Sequence, residues 1–97
     1  MSTNDMVDSG VPAPRIASIQ AIGDFRLTVR WAEGLRAGRT DEVDLAPAVE
    51  SYKFYRPLRG DADLFGTVQL VDDGNTVAWG DGEIDMSAAT IETLTEI

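Results

Sequence analysis

The alternation Phe25, Leu27, Val29, Trp31, running directly into Glu33 and Gly34, constrains this chain more than any other stretch. A period of two places these four apolar side chains on one face of a strand and turns Arg26, Thr28 and Arg30 toward water. A second alternating piece, Val77 and Trp79, ends on Gly80-Asp81-Gly82. Two strands, each closing on a tryptophan and a glycine turn, predict a small sheet protein. With 97 residues, 43% of them hydrophobic, the chain has material for one core and none for a second.

The remaining elements follow from turn and cap chemistry. Residues Met1 to Pro14 are polar and small and end on Val11-Pro12-Ala13-Pro14, which predicts a disordered, extended tail over 1–14 and a single domain over 15–97. Ile16, Ile19 and Ile22 precede Gly23-Asp24, a strand and tight turn leading into the Phe25 to Trp31 strand. Glycines at 34 and 38 reverse the chain into Val43 and Leu45, completing a three-stranded meander. Pro47 starts a short helix carrying Val49 and Tyr52, stopped by Pro57 and Gly60. Asp61 caps a helical turn that tucks Leu64 and Phe65 under the sheet. Thr67 to Val71 and Thr76 to Trp79 form a hairpin across Asp72-Asp73-Gly74-Asn75. Ser87 caps a terminal helix over Ala88 to Leu94. The expected fold is α+β: an antiparallel sheet of about five to six strands, meander plus hairpin, covered by two or three short helices.

Composition narrows the function classes. A net charge of -9 and a pI near 4.2 disfavour nucleic acid, because the field of the protein repels a phosphate backbone. Basic proteins are the expected partners. Cysteine and histidine are both absent, which removes thiolate chemistry, the commonest general base and the usual transition-metal ligand. The first ten residues lack a basic segment followed by an apolar run, and no stretch approaches membrane-spanning length, so a cytoplasmic protein is the default expectation.

What remains for chemistry is carboxylate, seven arginines and one lysine. Asp72 with Asp73, and Asp81 with Asp85, are the closest acidic pairs, yet both sit in or beside glycine turns where aspartate serves the local backbone. Asp61, Asp63 and Asp72 occupy positions one, three and twelve of a calcium-loop register, with Gly66 at six. Phe65 stands where a fifth-position oxygen is needed, and Asp72 replaces the longer glutamate, so helix cap plus turn is the favoured reading. No phosphate loop is present, and no cofactor is expected.

Arg26, Arg30, Tyr52, Phe54, Tyr55, Arg56 and Arg59 offer a basic, aromatic set of the kind that stacks on single-stranded nucleic acid. Phe25, Trp31, Phe65 and Trp79 fall at inward positions and belong to the core. The Tyr52 to Arg59 stretch stays distinct, as the one cationic patch of an acidic chain. Tyr52, Phe54, Tyr55, Arg56 and Arg59 are therefore the candidate partner-binding residues, since aromatics and arginine anchor interfaces.

The ordered series Pro14-Arg15-Ile16, Phe25-x-Leu27-x-Val29-x-Trp31-x-x-Gly34, Val43-Asp44-Leu45, Phe54-x-x-Pro57-Leu58, Leu64-Phe65-x-x-Val68, Thr76-Val77-x-Trp79 and Ile84-Asp85-Met86 resembles the small bacterial domain-of-unknown-function family 2442. The resemblance runs from Arg15 to about Ile91. It implies a compact α+β fold, no carried-over catalytic residue, and frequent encoding beside another small protein in gene pairs that look like toxin–antitoxin modules. Some members are fused to a helix-turn-helix domain, which is not expected here. The tail before Pro14 and the loop from Gly34 to Thr40 depart from shorter members.

Two classes of function stand. The favoured one is a non-catalytic protein-binding or regulatory module, the acidic, antitoxin-like member of a two-protein bacterial module, with a small basic protein as partner. The alternative is a carboxylate-based metal-binding protein or enzyme around Asp61, Asp63, Asp72 and Asp73, or a homodimeric structural protein paired through an edge strand such as Arg15 to Ile22.

Overall fold

A computed structural model describes residues 13–96. Of the expected tail, only Ala13 and Pro14 fall within the described residues. Among the described residues, six strands divide between two antiparallel three-stranded sheets. The first is the meander β1 (Arg15–Gly23), β2 (Arg26–Glu33) and β3 (Thr40–Asp44). The second is β4 (Gln69–Val71), β5 (Thr76–Trp79) and β6 (Ile84–Ser87). Between the sheets run α1 (Ala46–Ser51), a 3-10 turn (Lys53–Leu58) and α2 (Ala62–Phe65); α3 (Ala88–Thr95) follows β6 without a loop.

The β2 alternation behaves as a half-buried strand must. Leu27, Val29 and Trp31 are fully buried, and Arg26 and Arg30 are exposed. Across the ladder, Leu27 pairs with Val43 of β3 and Val29 with Ile19 of β1. Trp31 keeps its indole N–H satisfied inside the core by donating to Asp41 Oδ2 at 3.0 Å, which in turn holds Arg36 at 3.4 Å. From the second sheet, Val77, Trp79 and Met86 complete the core with Ile91 of α3.

The strand expected to begin at Phe25 begins at Arg26 instead. Gly23 pairs with Arg26, leaving Asp24 and Phe25 as a two-residue turn with φ of 52° and 63°. Such a turn follows the right-handed twist of its strands only with both central residues at positive φ, a conformation a phenylalanine resists. Its ring contact with Phe65, at 5.6 Å and 80°, compensates.

Cap chemistry placed the helices as expected. Asp61 Oδ1 accepts from the Leu64 amide at 3.0 Å, and Ser87 Oγ accepts from the Thr90 amide at 3.1 Å. The first helix is shorter than the Val49 to Tyr52 spacing implied. It stops at Ser51 because Tyr52 is extended, and the chain continues as the 3-10 turn.

The two sheets meet where the turn at residues 72–74 lies against the start of β1. A Cβ added at Gly74 would sit 2.3 Å from the Ile16 carbonyl oxygen, and Gly74 has φ +87°. Gly82 has φ +97° but open space around it. Gly82→Ala therefore carries backbone strain alone, about 1–2 kcal/mol, whereas Gly74→Ala adds a backbone clash and forces the sheets apart. In urea denaturation Gly74→Ala is expected to lose clearly more stability than Gly82→Ala; equal losses would show that the sheet junction is not tightly packed.

Candidate functional site

The aromatic stretch is built by what happens after α1. Pro47 lies in the first turn of that helix, and Asp44 Oδ1 accepts from the Ala46 amide at 2.9 Å. The helix ends after six residues, leaving carbonyls at its C-terminal end without intrahelical donors. Arg59 supplies donors: its Nε donates to the Val49 carbonyl at 2.6 Å and its Nη2 to the Tyr52 carbonyl at 3.2 Å. The 3-10 turn is thereby folded back onto α1, with Leu58 buried beneath it. Arg59, expected at a partner interface, is engaged by this chain's own backbone.

That fold-back raises a ledge of rings. Tyr52 is 62% exposed and Phe54 53%, large fractions for such side chains. Tyr55 is half-buried between them and the core; its hydroxyl donates to the Asp85 carbonyl at 3.0 Å, and its ring meets Phe54 at 5.1 Å and Trp79 at 6.5 Å. Tyr52, Phe54 and Tyr55 border one groove of about 330 Å³ whose far wall is Ala48 and Thr90. Arg56 and Lys53 are exposed on the same turn. The structure thus brings together the three expected aromatics, leaves Arg56 beside them, and ties Arg59, still exposed, to the Val49 and Tyr52 carbonyls.

The carboxylates do not converge. Asp61 caps α2, Asp63 lies in its exposed first turn, and Asp72 sits with φ 52° in the turn between β4 and β5. Asp73 shares that turn at φ 57°, and Asp85 lies on the outer face of β6 with its carbonyl taken by Tyr55. Among the described residues no group of three or more His, Cys, Asp or Glu is placed to hold a metal ion. Also among them, no helix is long and apolar enough to cross a membrane.

A larger cavity, about 500 Å³, opens between the β1–β2 turn and α2. Its walls include Asp24 and Phe25 on one side and Asp61 and Phe65 on the other, over a floor containing Leu58. Sequence patterns missed it. The available signal was Phe25 itself, a bulky ring in the second place of a Gly-Asp turn where glycine or asparagine is usual.

A scan against protein-family models finds no match, and neither the curated proteins nor the solved structures include one that matches this chain.

Burial raises the Tyr55 pKa above the ordinary tyrosine value, with further contributions from Asp85 and Tyr52. The folded state therefore holds a proton that the unfolded chain releases near pH 10, so stability present below pH 10 is lost as pH rises through the folded pKa. Absorbance titration of phenolate should show a component above the usual tyrosine range that Tyr55→Phe abolishes. Its survival in that variant would disconnect Tyr55 from the core.

Proposed function

We propose that this chain is a non-catalytic protein-binding or regulatory module, acting in the cytoplasm as the acidic, antitoxin-like member of a small two-protein bacterial module. The observation that carries the reading is the ledge of Tyr52 and Phe54, two large rings held out beside a groove by a turn that Arg59 folds back onto α1. Rigid aromatic side chains present contact area at small entropic cost and are the usual centres of binding energy. The net charge of -9 supports a basic partner, with long-range attraction setting the encounter rate and the ledge setting the lifetime of the complex. The motif series from Pro14 to Met86 supports membership of family 2442, and with it a partner encoded next to this chain.

The test is capture of partners by the tagged chain from its own cells after nuclease treatment, followed by binding measurements on the purified pair. A small basic protein in stoichiometric amount is expected, with an association rate that falls as salt is raised. Tyr52→Ser and Phe54→Ser together should weaken the complex by about 2 kcal/mol or more, roughly thirtyfold, while circular dichroism stays unchanged. An unchanged affinity in that double variant, or a parent chain that captures nothing, overturns the reading.

A further inference from the structure

The cavity between the β1–β2 turn and α2 has a composition that the aromatic ledge does not share. Its volume, about 500 Å³, lies in the range of roughly 300–1,000 Å³ that encloses small ligands and single large side chains. Its interior is apolar, with Leu58 buried at its base and Phe65 buried in its wall. Its rim carries two carboxylates, Asp24 from the turn and Asp61 from the helix cap.

Neither carboxylate is neutralised within the chain. The two arginines nearest in sequence are committed elsewhere: Arg26 pairs with Glu42 at 3.4 Å, and Arg59 donates to the Val49 and Tyr52 carbonyls. Among the described residues, no ion pair includes Asp24 or Asp61. Asp61 uses Oδ1 for the Leu64 amide, which leaves its second oxygen for an outside donor. Phe25 and Phe65 stand edge to face at 5.6 Å in the wall, so an aromatic surface lies beside the charges. An apolar interior, two acceptors and an aromatic wall together suit an arginine side chain, which offers an apolar stem and a planar cation.

We infer that this cavity is the seat for an arginine side chain presented by the basic polypeptide partner, a site separate from the aromatic ledge. The inference rests on the binding-module reading for the source of that arginine. Both carboxylates have replacements that preserve the backbone. Asparagine tolerates the left-handed conformation of residue 24 (φ 52°) and caps a helix as well as aspartate does at residue 61.

The experiment is a titration of the full chain with N-acetyl-arginine amide, N-acetyl-citrulline amide and N-acetyl-agmatine, followed by amide chemical shifts in NMR. Arginine amide should move the amides of residues 23–25 and 60–66 saturably, and the uncharged citrulline amide should not. Asp24→Asn with Asp61→Asn should weaken that binding by about tenfold, as expected for removing two exposed charged contacts to one guanidinium. Asp73→Asn with Asp81→Asn, which removes equal charge from turns outside the cavity, should change it by less than about twofold.

Absence of shifts at these amides, equal binding of citrulline amide, or equal weakening in both double variants overturns the inference. Tighter binding of N-acetyl-agmatine, which carries the same single charge but no main-chain carbonyl beyond its stem, than of arginine amide assigns the cavity to a free organic cation and overturns the polypeptide occupant. Partner capture separates this site from the wider reading. A partner still held at full affinity by Asp24→Asn/Asp61→Asn overturns the arginine seat and leaves the binding module intact. A parent chain that captures nothing overturns that module, and the arginine titration still decides the cavity.

Discussion

Five aromatic rings in contact hold this fold together. Phe25 at the β1–β2 turn meets Phe65 of α2 edge to face; Phe65 stacks on Trp79 of β5 at 6.0 Å; Trp79 meets Tyr55, and Tyr55 meets Phe54 at the surface. Each such contact adds about 0.5–1.5 kcal/mol beyond the burial of its area. The chain of rings joins the first sheet to the second through the connecting helices. It also joins the two concavities, since Phe25 and Phe65 wall one and Tyr55 and Phe54 border the other. The centre of the series carries a cost: Trp79 is fully buried, and among the described residues its indole N–H has no acceptor. A buried donor left unmade costs about 1–3 kcal/mol, a penalty that Trp31 escapes through Asp41.

The scarce arginines are used mainly to pin the scaffold. Arg15 bonds Glu33 at 3.0 Å across the open end of the β1–β2 hairpin and holds that carboxyl below the usual range. Arg36 and Arg39 converge on Asp41, which is also the acceptor for Trp31. Arg59 closes the end of α1. Seventeen acidic residues against eight basic ones then leave an excess of carboxylate that no internal partner balances. Electrostatic complementarity of this kind favours a cationic partner through the encounter rate more than through the final affinity.

Much of the architecture could be read from local rules. Asp61 and Ser87 are caps because an oxygen acceptor followed by an apolar run satisfies free amides wherever it occurs. The turn at 72–75 joins β4 to β5 because Asp72, Asp73 and Gly74 tolerate positive φ, while Asn75 stays right-handed and closes the turn by donating to the Asp72 carbonyl. Departures arose where a distant contact outweighed local preference. Phe25 leaves its strand to enter a left-handed turn because Phe65, forty residues on, receives its ring. Arg59 stays at the surface but also donates to carbonyls that the early end of α1 leaves within its reach. The ledge was half legible: the rings of Tyr52, Phe54 and Tyr55 stand together, but the groove they border needs Thr90 of α3, which nothing nearby in the chain specifies.

By itself, the sequence determined the α+β class, the inward face of β2, the caps and turns and the acidic charge, because each depends on residues within a few positions of one another. Tertiary structure alone decided the division of the six described strands into two sheets, the series of rings between them and the cavity that both Asp24 and Asp61 line. Those features require elements far apart in the chain to meet, and their positions follow from which apolar faces bury each other, which no local pattern encodes.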